Sequence, residues 1–184
     1  MVRIRSVLAG VMAAVVGTLG LVVGTGNPAA AETPLGHCYD DSTPAHRDAA
    51  PWRLPGGVQA SWPTPLGLIN GDVLRVTASG RIRIDHWGTS KSIAGELPLA
   101  GSGWPAPGLR RYMLIGKVTI GAVWLKSTGL TYGAGKWFPI GTDSDCMMYQ
   151  SGALPEGGQL VLSFNDDNLG DNGDNAAVVV KQWI

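Results

Sequence analysis

After residue 60 the chain contains only short apolar runs, and their spacing constrains the fold more than any other feature. In LVLSF, Leu160, Leu162 and Phe164 fall on one face, and in VLRVT, Leu74 and Val76 do the same. A period of two is that of a strand with one buried face. Gly, Pro, Asn or Asp bounds every run, and 27 glycines and 12 prolines are available for turns. The pattern predicts an all-β fold, a small β-sandwich.

The first 31 residues predict a secretory signal peptide. Arg3 and Arg5 precede an apolar run interrupted by glycines, and Ala29–Ala31 supplies an A-x-A cleavage site. We therefore expect a secreted, extracellular protein, and no later segment is long and apolar enough to span a membrane. Residues 32–66, rich in Pro and polar residues, are predicted to be an N-terminal extension that is mostly loop. Residues 67–184 are predicted to form the sandwich domain.

The charge of the mature chain is nearly balanced but unevenly placed. The signal peptide takes two arginines and no acidic residue, so 12 basic and 14 acidic residues remain. No basic stripe stands out, so we expect no nucleic acid partner. Between Trp137 and Val180 there is no Lys or Arg, whereas seven acidic residues fall in that window. A cation bound there would offset the repulsion between these charges.

Two cysteines, Cys38 and Cys146, predict one disulfide. An even cysteine count behind a signal peptide favours pairing, and two cysteines allow a single connectivity. The alternative is a pair of buried free thiols. Two cysteines are also too few for a structural zinc site with Cys ligands.

The segment from Asn165 to Asn175 predicts a calcium site. Eight of its eleven residues are Asp or Asn, and it joins two predicted strands. Calcium takes six to eight hard oxygen ligands in a flexible geometry, whereas zinc prefers His or Cys. An EF-hand is excluded, because Gly170 and Ala177 stand where its loop needs other residues. An ordinary turn rich in Asn, Asp and Gly remains the alternative.

Three pieces of the sequence resemble the LecA-type (PA-IL-like) calcium-dependent galactose-binding lectins. LVLSFNDDNLGDNGDNAAVVV resembles the last hairpin of that family, GDVLRVTASGRIRI its early strand pair, and YMLIGKV a middle strand. The resemblance covers about residues 70–184, with a poorly matched middle. It implies a small β-sandwich of the galactose-binding-like, jelly-roll type, which agrees with the strand pattern.

Carried onto this chain, the resemblance implies a set of metal ligands. Asp166 matches the ligating aspartate, and Asp171 and Asn172 match the pair that touches both metal and sugar. A backbone carbonyl of Asn168, Leu169 or Gly170 completes the loop's ligands, and Gly170 is our candidate. A further carbonyl is expected from residues 84–86.

The sugar-contacting loop departs from the family pattern. The galactose lectins use an imidazole and an amide there, whereas LAGSGWPAPGLRR has neither. Trp104, its one aromatic residue, is the candidate for stacking on a sugar, with a place in the core as the alternative.

The leading functional hypothesis is a calcium-dependent carbohydrate-binding protein, with a galactoside-like glycan as partner, Ca²⁺ as cofactor and no enzymatic activity. Its three histidines are scattered, and no nucleophile-elbow or zinc-protease motif occurs. The second hypothesis is a calcium-stabilised structural or protein-interaction domain. The sequence fits a monomer or a homo-oligomer and does not specify the sugar.

Overall fold

The fold is known from a computed structural model, which describes residues 32–48, 50–62, 67–152 and 157–184. Glu32–Ile184 forms one compact unit, so the extension belongs to the same body as the sandwich. The predicted signal peptide, residues 1–31, lies outside the described residues. Among those described, no helix is both long and apolar enough to cross a membrane.

The secondary structure is almost entirely antiparallel strands. One short helix, α1, spans Pro34–Tyr39, and its first turn is capped by the Thr33 hydroxyl, which accepts from the Gly36 N–H at 3.1 Å. The strands in the first half are β1 His46–Arg47, β2 Trp52–Pro55, β3 Ala60–Ser61, β4 Val73–Ser79, β5 Arg81–Arg83, β6 Ser90–Ser92 and β7 Glu96–Leu99. Those in the second half are β8 Arg110–Arg111, β9 Leu114–Val118, β10 Ala122–Leu125, β11 Thr131–Gly133, β12 Phe138–Pro139, β13 Met147–Gln150, β14 Leu160–Phe164 and β15 Asn175–Trp183.

Two antiparallel sheets form the β-sandwich predicted from the alternating runs. The larger has seven strands in the order β1-β15-β4-β13-β10-β11, with β2 also paired to β15. The smaller has four strands in the order β12-β9-β14-β3. The short pairs β5–β6 and β7–β8 stand beside these sheets.

The predicted strand faces are confirmed by the buried residues. Leu74 and Val76 of β4 enter the main core, while Arg75 between them stays partly exposed. Leu160, Leu162 and Phe164 of β14 join the same core from the other sheet. Because β14 is buried along its whole length, it carries apolar residues on both faces.

The N-terminal extension contributes more regular structure than its composition indicates. Besides α1 it supplies β1 and β2, which pair with β15, and β3, which pairs with β14. These strands are only two to four residues long, too short for a period to be read in the sequence.

The predicted disulfide between Cys38 and Cys146 is present, with a Cα–Cα distance of 6.1 Å. Both cysteines are buried with Val73 and Trp183 in a second, smaller apolar cluster. The bond therefore fastens α1 to the outer face of the large sheet.

Removing this disulfide is expected to destabilise the fold. The bond joins residues 108 apart, and closing such a loop contributes about 4–5 kcal/mol in the chain-entropy model. A Cys38→Ser/Cys146→Ser variant should therefore unfold at a clearly lower urea concentration than the wild type. The unreduced, denatured wild-type protein should show no free thiol, and two titratable thiols would contradict the assignment.

Candidate functional site

The acidic loop joins the two sheets of the sandwich. It leaves β14 in the small sheet at Phe164 and enters β15 in the large sheet at Asn175. A single turn of 3-10 helix, Leu169–Asp171, lies in its middle. Asn165 and Asp166 at its start are buried, at 0% and 4% exposure, so this loop begins inside the protein.

Three oxygens of this loop are buried and accept no hydrogen bond. Across the described residues, seven buried side-chain polar atoms lack a partner, and three of them are Asp166 Oδ2, Asp171 Oδ1 and Asn172 Oδ1. Burying such an oxygen without a donor costs about 1–3 kcal/mol, and more for a charged group. These three atoms belong to the three side chains that the sequence predicts as metal ligands.

Each of the three side chains is fixed through its other polar atom. Asp166 Oδ1 accepts from the Asn168 N–H at 3.1 Å, and Asp171 Oδ2 accepts from Asn168 Nδ2 at 2.7 Å. Asn172 Nδ2 donates to the Gly56 carbonyl at 3.2 Å. One atom of each side chain thus sets its orientation and leaves an oxygen free, as preorganised ligands require.

The Asp166 carboxyl lies in an environment that disfavours its charge. Burial raises its pKa above the ordinary value, and the Asp167 carboxyl adds to this. The Asn168 N–H and the Asn172 amide oppose the rise, which also places the Asn172 side chain close to Asp166. The protein's own groups therefore do not fully compensate a carboxylate here.

A metal in this loop would need oxygens of several kinds. In the part of the chain that the structure describes, no group of three or more His, Cys, Asp or Glu side chains could hold a metal. Two carboxylates, one amide oxygen and backbone carbonyls are hard donors that suit calcium rather than zinc. Gly170, the candidate carbonyl, is exposed within the 3-10 turn between Asp166 and Asp171.

The early strand pair also reaches this loop. Arg83 of β5 and Gly173 exchange two backbone hydrogen bonds, of 3.1 and 2.8 Å. Residues 84–86, expected to supply a further carbonyl, follow directly after this bridge. A Cβ on Gly173 would stand 2.5 Å from Arg83 Nη2, so a side chain there would displace the guanidinium.

Arg83 is a neighbour of the acidic loop that sequence analysis missed. The loop has no cationic residue of its own, yet folding brings this guanidinium against Gly173. Its Nε is buried without a hydrogen-bond partner, and no ion pair joins Arg83 to an acidic side chain within the described ranges. Arg83 and Gly173 are 90 positions apart, and no local pattern in the sequence links them.

Asn165 fastens the Trp104 loop, residues 99–111, to the start of the acidic loop. Its Oδ1 accepts from the Ala106 N–H at 2.9 Å, and its Nδ2 donates to the carbonyls of Ala106 and Arg110, both at 3.0 Å. Its backbone carbonyl accepts from the Tyr112 N–H at 2.7 Å. The segment carrying Trp104 is thereby held one residue before Asp166.

Trp104 is half-buried and lies outside both core clusters. Its ring meets the Tyr112 ring edge-on at 5.4 Å, and the Arg111 guanidinium lies 5.2 Å from its centre. The alternative of a core position is therefore wrong for this residue. The Trp104 ring contacts Tyr112 and Arg111. It is the backbone of the Trp104 loop, rather than this ring, that is bonded to the acidic loop.

Tyr112 is a second residue near the acidic loop that sequence analysis missed. Its φ of 62° is rare for a bulky residue and occurs mainly where the surroundings impose it. Burial raises the pKa of its hydroxyl, and the negative charge of Asp166 raises it further. Tyr112 therefore faces the same region as the buried carboxylate.

Comparisons with known proteins find a partly similar solved structure but no family. No protein-family model matches the sequence, and no curated protein matches it. Among solved structures, the chain is similar to the EclA N-terminal domain, described as a PllA-like lectin. The identity is 20%, the TM-score is 0.42, and the alignment covers 72% of this chain and 95% of that one. A similarity of this size assigns no ligand or site residue, and membership of the LecA-type family stays a prediction.

Replacing Asn165 is expected to release the Trp104 loop. Asn165→Ala removes three side-chain hydrogen bonds to backbone groups of Ala106 and Arg110. The Ala106 carbonyl keeps its bond from the Leu109 N–H, but the Ala106 N–H loses its acceptor, at about 1–3 kcal/mol for a donor that water cannot reach. Amide hydrogen exchange at Ala106 should accelerate markedly, and the melting temperature should fall. Asn175→Ala is the matched control, because it removes an exposed hydrogen bond to Arg53. Equal protection of Ala106 in the wild type and in Asn165→Ala would contradict this role.

Proposed function

We propose that this chain is a secreted, calcium-dependent carbohydrate-binding protein without enzymatic activity. One observation carries the proposal: three oriented side chains of a single loop each leave one buried oxygen without a donor. A divalent cation is the partner whose charge and coordination number match such a set. The β-sandwich fold and the aromatic residues beside the loop also support it.

The proposed ligands are Asp166 Oδ2, Asp171 Oδ1 and Asn172 Oδ1, with backbone carbonyls from Gly170 and from residues 84–86. Calcium accepts up to eight oxygens, so positions remain for hydroxyl groups of a sugar. Asp171 and Asn172 would accept hydrogen bonds from the same hydroxyls. The Asn168 side chain holds Asp171 in place, and the Gly56 carbonyl holds Asn172.

Trp104 and Tyr112 would form the aromatic side of the sugar site. Aromatic faces pack against the apolar C–H groups of a sugar ring, and the backbone segments that carry both residues are tied to the acidic loop through Asn165. The loop that carries Trp104 lacks the imidazole and the amide that the galactose lectins use to contact the sugar. We therefore expect weak binding of a single galactoside. A dissociation constant in the high micromolar to millimolar range corresponds to about 4–6 kcal/mol. A homo-oligomer would raise the avidity.

A second candidate function has its own support. The acidic loop spans the two sheets, so a cation held there would brace the sandwich whether or not a sugar binds. The protein would then be a calcium-stabilised structural or protein-interaction domain. A glycan array run with calcium and again with chelator separates the two, because only the lectin gives calcium-dependent glycan signals.

Calcium is expected to stabilise the wild-type protein through Asp166. At a hundred times its dissociation constant, a ligand of the native state adds about 2.7 kcal/mol, or roughly 5–10 °C in melting temperature at this size. Asp166→Asn should lose most of this increase. In chelator it should melt no lower than the wild type, because it removes a buried, uncompensated carboxylate.

Asp174→Asn is the matched control for that experiment. It makes the same charge change in the same loop, but Asp174 is exposed, and its φ of 60° suits asparagine. Its response to calcium should equal that of the wild type. A wild-type protein that does not respond to calcium, or an Asp166→Asn protein that responds fully, would contradict the ligand assignment.

Sugar binding is expected to require both calcium and an aromatic ring at position 104. Calorimetry with methyl β-galactoside should give weak, saturable binding in calcium and none in excess chelator. Trp104→Ala should weaken binding about two- to tenfold, whereas Trp104→Phe should retain most of it, since stacking contributes about 0.5–1.5 kcal/mol. Binding that persists unchanged in chelator would rule out a metal-bridged sugar.

A further inference from the structure

A cavity of about 560 Å³ is lined by residues of the Trp104 loop and of the segment from Thr131 to Trp137. Pro105 and Pro107 line one side, and Tyr132, Gly133, Lys136 and Trp137 line the other. This volume is within the range of small-molecule sites. None of the proposed calcium ligands lines it.

The cavity lies in a basic part of the chain. From Leu97 to Thr142 the sequence has five Lys or Arg residues and no Asp or Glu, and every lining residue comes from this stretch. Lys136 lines the cavity, is exposed, and forms no ion pair within the described ranges. An anionic group would meet an available ammonium here and no repelling carboxylate from the lining.

Aromatic residues supply part of the apolar lining, beside the two prolines. Trp137 is half-buried, and Lys117 Nζ lies 4.3 Å from its ring centre while donating to Gln59 Oε1 at 3.3 Å. This second lysine adds positive charge next to the indole.

Gly133 lines the cavity and has open space where a side chain would stand. It ends β11, where its backbone is not in the left-handed region, and a Cβ added there would meet no atom within 4 Å. Neither backbone conformation nor packing therefore requires glycine at this position. A side chain at position 133 would extend into free space beside the cavity.

We propose that this cavity binds a sugar residue bearing a carboxylate, that is, a uronic acid unit of a glycan. The carboxylate would pair with Lys136, and the C–H face of the ring would pack on the aromatic lining. Because no proposed metal ligand takes part, this site works without calcium. It stands apart from the proposed galactoside site: Trp104 belongs to that site, whereas Pro105, Ala106 and Pro107, the next residues along the chain, line the cavity.

The test uses methyl glucuronide and the neutral methyl glucoside as probes, followed by ligand-observed NMR in excess chelator. The wild type should bind the glucuronide saturably at millimolar concentration and the glucoside about threefold or more weakly, as one exposed charge pair allows. Lys136→Gln should remove this preference. Gly133→Leu should weaken binding of the glucuronide about tenfold by adding a bulky side chain to the lining, with an unchanged melting temperature to verify the fold.

Lys126→Gln is the matched control, because Lys126 lies in the same acid-free stretch but pairs with Asp145 at 3.6 Å. It should bind the glucuronide like the wild type. The proposal is overturned if the wild type shows no saturable binding, if both probes bind equally, or if Gly133→Leu binds like the wild type. Since chelator is present throughout, these outcomes are independent of whether the acidic loop binds calcium.

Discussion

The pairing of β15 with strands on both of its sides is the interaction on which the rest of the structure depends. Seven of its residues pair with β4, and six more pairings join it to β1 and β2. The N-terminal extension is therefore part of the large sheet, and the disulfide fastens the preceding helix to the same region. The acidic loop begins in one sheet and ends in β15, so this pairing also fixes one end of the proposed calcium site.

Charge is segregated along the chain, and the fold converts this into two chemically different surfaces. Residues 97–142 carry no acidic side chain, and residues 138–180 carry no basic one. The first stretch lines the cavity near Trp137, and the second contains the loop with unpartnered oxygens. Asn165 connects them, because its side chain holds the Trp104 loop while its chain neighbour is Asp166. The two proposed sites thus differ in the charge of the ligand each would take.

Sequence analysis predicted the features that follow local rules. Alternation in β4 and β14 identified the sandwich, cysteine parity identified the disulfide, and oxygen density identified the loop with the orphaned atoms. It missed Arg83 and Tyr112, because each reaches the loop through pairing between segments far apart in the chain. It also underestimated the extension, whose strands exist only because β14 and β15 offer them partners. Calcium ligation by Asp166, Asp171 and Asn172 stays a prediction.

The order of strands in the large sheet has a consequence for how the protein reaches its native state. β15 is the last strand in sequence, yet it lies between β4 and the strands of the extension, so its partners are up to about 135 residues away. Such pairings are slow to form, because the chain loses the entropy of a long loop before the stabilising contacts between the strands are made. Before β15 pairs with them, one edge of β4 and the extension strands β1 and β2 have unpaired backbone groups. Folding intermediates of this chain should therefore expose open strand edges, the feature that makes β-rich proteins vulnerable to self-association before folding is complete.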